Sequence, residues 1–357
     1  MRQFSSKQDI CDWLNQFEHE LLAPNWANIS GVVTMTPSGA VSITLPFASV
    51  ALQKELNAWV CREQSAGVPN LPYDIDVAVR ALETPVNGEI AGVKNVIAVS
   101  SAKGGVGKST TAVNLALALS AGGARVGLLD ADIYGPSVPL MLGKLNQRPD
   151  VRDGQWMQPI EAYGIYTNSI GYLMNSDDAA IWRGPMAAKA LTQLINETEW
   201  PNLDYLVIDM PPGTGDIQLT LSQQIPVTGS IIVTTPQDLA LADARKGAAM
   251  FAKVDVPVLG IVENMSYHVC SQCGATEAIF GSGGAAEMAQ EYHLALLAQL
   301  PLHIAVREDI DRGTPTVVAR PDSDHAKAYY QLADQVASTL FWHGKPRAET
   351  ILYTKVE

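Results

Sequence analysis

The stretch SSAKGGVGKST, residues 100–110, limits what this chain can fold into more than any other part of its sequence. It follows an apolar run typical of a strand and opens an apolar run typical of a helix, which is the setting of a phosphate-binding loop. Glycines let backbone N–H groups turn towards phosphate oxygens, and the helix N-terminus adds a partial positive charge. A Gly-rich turn without a ligand would leave the order GKST unexplained.

The loop predicts separate tasks for its residues. Lys108 is expected to reach the β and γ phosphates as a catalytic cation, and Ser109 is expected to bind Mg²⁺. Ala102 stands where the pattern usually has its first glycine, a mild departure because alanine adopts fewer backbone angles. The predicted nucleotide-binding residues of the loop are Ala102, Lys103, Gly104, Gly105, Val106, Gly107, Lys108, Ser109 and Thr110.

Strand and helix patterns alternate through the rest of this region. Most of the strand-like runs are continuously apolar, as in parallel strands covered by helices on both faces. The predicted fold class is therefore an α/β P-loop NTPase with a mostly parallel sheet between two layers of helices. The predicted strands cover 95–101, 124–130, 205–210, 230–235, 256–264 and 294–302, and the helices include 108–121, 185–196, 239–253 and 326–342.

A cluster of breakers, TPVNGEIAG at 84–92, separates this region from a differently patterned N-terminal one. Residues 9–22 and 49–64 have helical periodicity, and extended runs flank Pro37-Ser38-Gly39 as in a hairpin. We predict a small α+β domain at 1–84, a linker at 85–94 and the ATPase domain at 95–357.

Three aspartates follow predicted strands, at the edge where parallel sheets bind ligands. Asp130 and Asp132 lie in LLDADIYGPS, and Asp209 ends the strand of YLVIDMPPGTGD. Asp209 is suited to holding Mg²⁺ through water, and Asp130 is a further candidate magnesium ligand. Capping of a helix or turn is the alternative for Asp130 and Asp132.

The segment KGGVGKST resembles the deviant Walker A loop of the family that includes the nitrogenase iron protein and the Min and Par positioning ATPases. The resemblance implies a homodimer in which catalytic Lys103 reaches the partner's phosphates and stabilises charge on the transferred phosphoryl group. It also implies that Asp132 positions the attacking water and that Asn264 reads the adenine base. A plain turn asparagine is the alternative for Asn264.

Cys270 and Cys273 form a C-x-x-C in a polar loop of a chain that has only four cysteines. Two thiolates are half of a tetrahedral zinc set or of a Cys₄ cluster set. In a predicted twofold dimer, two such halves complete one site at the axis. A reduced dithiol or an incidental disulfide is the alternative.

Seven segments in this order resemble the Mrp/ApbC family of iron-sulfur carrier ATPases, over residues 95–320. The resemblance implies that ATP binding and hydrolysis serve a homodimer whose Cys270 and Cys273 pairs hold a [4Fe-4S] cluster, received from donors and delivered to apoproteins. Residues 1–84 resemble a degenerate iron-sulfur assembly domain. The segments are KGGVGKST, DADIYGPSVPLMLG, WRGPM, DYLVIDMPPGTGDIQLTL, VTTPQDLAL, VENMSYHVCSQCG and PLHIAVRED.

Charge and hydropathy bear on the competing functions. The net charge of −13 works against a nucleic-acid or anionic-membrane partner, and we predict neither. No apolar run approaches the ~18 residues of a membrane span, and the N-terminus lacks the order of a secretory signal, so a cytoplasmic location is predicted. A ParA/MinD-like positioning ATPase would leave the C-x-x-C without a task, whereas a structural zinc bridged between subunits would use it.

Overall fold

The structure, a computed structural model, describes residues 4, 6–36, 40–68, 71–86, 88–173, 184–270 and 272–348. The helices are α1 (Lys7–Leu14), α2 (Val50–Ser65), α3 (Lys108–Ala121), α4 (Val138–Met141), α5 (Gly184–Asn196), α6 (Asp216–Gln224), α7 (Asp238–Lys253), α8 (Gly284–Glu291), α9 (Ile304–Asp311), α10 (Thr316–Ala319) and α11 (Asp324–His343). The strands are β1 (Val33–Met35), β2 (Val41–Leu45), β3 (Tyr73–Val77), β4 (Val93–Ser100), β5 (Val126–Asp130), β6 (Val151–Arg152), β7 (Trp156–Met157), β8 (Ile160–Ala162), β9 (Ile165–Ser169), β10 (Leu203–Asp209), β11 (Gly229–Thr234), β12 (Val258–Val269), β13 (Thr276–Glu277) and β14 (Ala295–Leu302).

The large sheet is mostly parallel. Its order is β13-β12-β11-β4-β10-β5-β9-β8, and β14 pairs with β12 in parallel. Only the short strands β8 and β13 run antiparallel to their neighbours within the described part of this sheet. Strands β4, β10 and β5 lie side by side, so their carboxyl ends form one edge where a ligand can bind.

Helices cover both faces of the sheet because its central strands are buried on both sides. Alternate side chains of β4 divide between two cores: Ile97 and Val99 face one, and Val96 and Ala98 face the other. Helices α3 and α11 contribute to the first core, and α5, α6, α7 and α8 to the second. The predicted α/β class, with a mostly parallel sheet between two layers of helices, is confirmed.

The N-terminal segments form a three-stranded sheet, β1-β2-β3, with α1 and α2. Strands β1 and β2 pair antiparallel, as the predicted hairpin requires, while its turn at Pro37-Ser38-Gly39 lies outside the described residues. This N-terminal module shares one hydrophobic core with α3 and α11. Ser338 Oγ and Trp342 Nε1 on α11 each donate to the Leu21 carbonyl at 2.8 Å.

Helix α1 and the strand pair β8–β9 differ from the sequence-based prediction. Helix α1 ends at Leu14 instead of continuing to residue 22, because the Asn15 side chain accepts from the Ala27 N–H and donates to Asn28. Strands β8 and β9 were not predicted; β9 adds a parallel strand beside β5. Both differences depend on partners distant in sequence, which local patterns do not contain.

Candidate functional site

The phosphate loop, residues 100–110, connects β4 to α3 at the ligand-binding edge of the sheet. Gly105 and Gly107 have φ of +82° and +84°, and Gly107 begins α3 as its N-cap. The Ser101 hydroxyl donates to the Lys103 carbonyl at 2.9 Å and closes the start of the loop. Its glycines thus permit the left-handed turns that bring successive N–H groups towards a bound anion.

Lys108 is buried and surrounded by acceptors. Its Nζ lies 2.5 Å from Asp209 Oδ1, 3.9 Å from Asp132 Oδ2 and 3.2 Å from Ser109 Oγ. The other oxygen of Asp209 is buried without a hydrogen-bond partner among the described residues. Because removing one partner of a buried ion pair leaves an uncompensated charge, each of these two side chains holds the other in place.

The chemistry of these donors fits a magnesium ion. Mg²⁺ is usually bound by one or two carboxylates and several waters, and it prefers hard oxygen ligands. The unpartnered oxygen of Asp209 and the hydroxyl of Ser109 are such ligands on neighbouring elements. Both residues therefore can hold the metal that accompanies a nucleotide.

Asp130 is fully buried and organises the loop that follows β5. Its Oδ1 accepts from the Asp132 N–H, and its Oδ2 accepts from the N–H groups of Ser137 and Val138 and from the Ser169 hydroxyl. Burial and the negative charge of Asp209 raise the pKa of Asp130 to about 7. The structure thus directs this carboxyl group towards the protein backbone, and magnesium binding by Asp130 stays a prediction.

Asp132 lies two residues further on, at the rim of the same site. Its side chain is 14% exposed, enough to meet solvent. Burial raises its pKa, while the charge of Lys108 opposes the rise. This position between a buried cation and solvent is compatible with orienting a water molecule.

The loop after Asp209 contacts the phosphate loop, and so does Gln218 on α6, a residue that sequence patterns did not identify. The Gly213 N–H donates to the Ser101 carbonyl at 2.9 Å. Gln218 on α6 is buried, and its Nε2 donates to Ser100 Oγ, while its Oε1 has no partner in the described part of the chain. The signal in the sequence that could have identified Gln218 was a polar amide side chain next to the leucines of QLTL.

Asn264 lies in β12 and is buried against the phosphate loop. Its Nδ2 donates to the Val106 carbonyl at 2.8 Å. A Cβ at Gly107 would lie only 2.0 Å from this nitrogen, so glycine is required there. Asn264 is thus a strand residue and not part of a turn, and its contact with adenine stays a prediction.

Cys270 and Cys273 lie in a short hairpin, residues 268–277, which we term the cysteine hairpin. His268 and Val269 pair with β13, and the Cys270 N–H donates to the Ala275 carbonyl at 2.9 Å. Both thiols are free, with Cys270 half-buried and Cys273 exposed. Hydrogen bonds from the N–H groups of Gln272 and Cys273 and from the Cys273 thiol lower the pKa of Cys270. The hairpin therefore favours a thiolate, the form that binds metals.

The cysteine hairpin supplies two of the four thiolates that a Cys₄ site needs. Across the described residues, no group of three or more His, Cys, Asp or Glu side chains is placed to hold a metal ion. A Cys₄ site would accordingly need two further thiolates from elsewhere.

The segment WRGPM, residues 182–186, lies partly outside the described residues, which continue from residue 184. No helix in the described ranges is long and apolar enough to cross a membrane.

The chain is similar to several characterised proteins. A family model, ParA: NUBPL iron-transfer P-loop NTPase, matches residues 92–337. The iron-sulfur cluster carrier protein of Escherichia coli (strain K12) is 56% identical over 342 residues, 94% of this chain and 93% of that protein. The iron-sulfur cluster transfer protein NUBPL of Mus musculus is 51% identical over 258 residues, 72% of this chain and 81% of that protein.

A solved structure provides a comparison of folds. The nucleotide-binding protein from Archaeoglobus fulgidus, in complex with ADP, has a TM-score of 0.59 and 35% sequence identity with this chain. The similarity covers 67% of this chain and 93% of that one.

Proposed function

This chain belongs to the NUBPL iron-transfer family of P-loop NTPases, and we propose that it carries iron-sulfur clusters to apoproteins under the control of ATP. The observation that carries the proposal is the cysteine hairpin, which presents two free thiols at the surface of a chain with a complete phosphate loop. The relatives named as cluster carriers support the same reading.

Nucleotide chemistry begins with an exchange of partners at Lys108. When ATP phosphates enter the loop, Lys108 turns from Asp209 to the β and γ oxygens. Asp132 orients a water molecule, whose oxygen forms a bond to the γ phosphorus as the bond to the bridging oxygen breaks. One proton of the water stays on the phosphate product, and the other is released to solvent. ADP and phosphate then leave.

The other groups complete this arrangement. Mg²⁺, when bound, neutralises charge on the phosphate oxygens. Ser109 and Asp209 are the residues that would hold it, and Asp130 is a further candidate ligand. Lys103 is exposed and makes no hydrogen bond or ion pair with another described side chain, so it is free to contact a partner subunit. We propose that it does so in a homodimer and stabilises the transferred phosphoryl group.

Cluster binding follows from combining two half-sites. Cys270 and Cys273 of each subunit would supply the four thiolates of a [4Fe-4S] cluster at the twofold axis. The exposure of Cys273 leaves the cargo accessible to the thiolates of an acceptor protein. The function that this geometry supports best is to receive clusters from donors in the cytoplasm and to pass them to apoproteins.

The test is anaerobic reconstitution of the full chain with iron and sulfide. Wild type is compared with the Cys270→Ala/Cys273→Ala double variant and with Cys61→Ala, which removes an exposed thiol outside the cysteine hairpin. We expect about four irons and four sulfides per dimer in wild type and Cys61→Ala, and transfer to an apoprotein. The double variant should hold none.

Two outcomes would contradict the carrier function. Equal iron in the double variant would show that the cysteine hairpin is not the cluster site. Zinc bound tightly in place of iron, without transfer, would favour a structural zinc bridge between subunits.

A further inference from the structure

Strand β12 contains an irregular segment between the phosphate loop and the cysteine hairpin. Glu263 pairs with Gln299 and Tyr267 pairs with Pro301, so three residues of β12, 264–266, lie opposite a single residue of β14. Met265, within this bulge, has φ of +54°, a left-handed conformation that is uncommon for a side chain of its size. Bulges and strained residues of this kind concentrate at functional sites, where they redirect the chain.

The bulge, residues 263–267, rests against the phosphate loop. Asn264 donates to the Val106 carbonyl at 2.8 Å. The terminal methyl of Met265 lies 3.9 Å from where a Cβ on Gly107 would stand. Two successive residues of the bulge therefore meet the same end of the loop, immediately before α3.

A buried carboxylate holds the bulge in shape. Glu263 is fully buried and accepts from Ser266 Oγ at 2.5 Å and from Gln299 Nε2 at 2.7 Å. It also lies 3.4 Å from the N–H of Ala285 in the first turn of α8. One side chain thus connects the bulge to β14 and to α8, and it makes no described contact with the phosphate loop or the thiols.

The bulge is joined directly to the cysteine hairpin. Beyond Tyr267, β12 continues to Val269, and the Cys270 N–H closes the hairpin on Ala275. Because both cysteines belong to this short hydrogen-bonded unit, a rotation of the backbone at the bulge changes the position of both thiols together.

We propose that the bulge transmits nucleotide occupancy of the phosphate loop to the cysteine pair, and that Glu263 is its positioning residue. The inference rests on the proposed function in assigning nucleotide to the loop and cargo to the thiols. Occupancy of the loop changes the backbone at Val106 and Gly107, the bulge follows through Asn264 and Met265, and the cysteine hairpin is reoriented. Coupling between two sites requires such an element with two arrangements.

The experiment measures the reactivity of the two thiols in the full chain without cluster. Iodoacetamide alkylation rates at Cys270 and Cys273 are followed by peptide mass spectrometry, with and without saturating Mg-ADP. We expect nucleotide to change the rates in wild type by about fivefold or more, the lower end of ordinary coupling between sites. The coupling ratio is the faster of the two alkylation rates, with and without Mg-ADP, divided by the slower. In Glu263→Gln this ratio should fall to about one, while the affinity for Mg-ADP changes much less.

Matched variants separate positioning from loss of stability. Asp309→Asn removes another buried carboxylate, one that accepts from Thr316 and Arg320 away from the bulge, and should keep the wild-type ratio. Met265→Gly tests the same bulge should Glu263→Gln fold poorly, because glycine accepts the left-handed angle while lacking the side chain that approaches Gly107. It should also lower the ratio.

A wild-type ratio of one, or wild-type ratios in both Glu263→Gln and Met265→Gly, would overturn the proposal. Neither measurement requires a cluster. Failure of reconstitution with intact coupling would thus contradict cluster carriage alone, and successful reconstitution with no coupling would contradict the role of the bulge alone.

Discussion

The carboxyl group of Asp130 is fully buried, and Asp130 lies beside Asp209 at the end of β10. Asp130 and Asp209 are paired positions of neighbouring parallel strands, and Lys108 bonds to Asp209. Burial and the negative charge of Asp209 keep the proton on Asp130 to higher pH than is usual for an aspartate, although the hydrogen bonds from Val138 and Ser169 favour the ionised form. The pKa of about 7 makes the loop that carries Asp132 sensitive to pH near neutrality.

Asp130→Asn should flatten the pH dependence of stability. Because the folded-state pKa of Asp130 lies above the unfolded value, the native state binds more protons between about pH 4 and pH 7. Its contribution to the free energy of unfolding is complete below that window and is lost as pH rises through about 7, by up to about 4 kcal/mol. Urea titrations of wild type and variant across this range measure the difference.

The variant's lower stability at every pH does not bear on this prediction, since asparagine also loses hydrogen bonds from Ser137 and Val138. Only the slope is diagnostic. Parallel curves for the two proteins between pH 4 and pH 7 would show that Asp130 is ionised throughout.

At the scale of elements, the side chain of Gln218 connects helix α6 to strand β4. Gln218 donates to Ser100, but its carbonyl oxygen is buried and unpartnered among the described residues. An unmade hydrogen bond in the interior costs more than a made one contributes. The junction is therefore less stable than an apolar contact of the same shape.

Two substitutions at this junction should have unequal effects. Gln218→Met keeps the shape and exchanges one buried unpaired group, the amide oxygen, for another, the Ser100 hydroxyl, so the free energy of unfolding should change by less than about 1 kcal/mol. Ser100→Ala leaves the whole amide unpaired and should cost about 1–3 kcal/mol. Chemical denaturation of both variants measures this; a larger loss in Gln218→Met would mean that the amide is fully satisfied.

Elements with strong local signals were predictable from the sequence. Helix α3 has the predicted bounds, 108–121, because Gly107 provides a left-handed N-cap and Gly122 follows its end. Aspartates at the ends of β5 and β10 were likewise located, since apolar strands stop at them. The family resemblance drawn from these motifs is confirmed.

What the sequence did not predict depends on distant partners. The bulge in β12 exists only in relation to β14, whose pairing residues are more than thirty positions away. The partner of Asn264 is a carbonyl 158 residues earlier, so its strand-end position alone did not reveal the contact. The raised pKa values of Asp130 and Asp132 follow from burial, which motif spacing does not specify.

At the scale of the whole molecule, the N-terminal module packs on the P-loop NTPase fold with aromatic side chains. Phe47 is fully buried, with its ring centroid 6.1 Å from Phe341 and 6.2 Å from Trp342. Because one hydrophobic core includes both parts, they should unfold together. The proposed boundary at residue 84 then separates sequence patterns and not independent folding units.

Phe47→Ala should divide this single transition into two. The substitution removes about 3–5 kcal/mol of packing at the junction, and the N-terminal module, with fewer buried residues of its own, should unfold first. Thermal unfolding is followed by far-UV circular dichroism and tryptophan fluorescence. Phe251→Ala, equally buried in the opposite core, should lower stability and retain one transition. Two transitions in wild type would contradict the shared core.

A cysteine hairpin that offers only two thiols makes the strength of cargo binding depend on how many copies of the chain are present. If four thiolates from two chains hold one cluster, binding depends on the concentration of the chain itself, because dilution separates the pairs. Abundant carrier retains its clusters, whereas scarce carrier loses them to acceptors of unchanged affinity. The amount of protein synthesised then regulates delivery even at constant ATP.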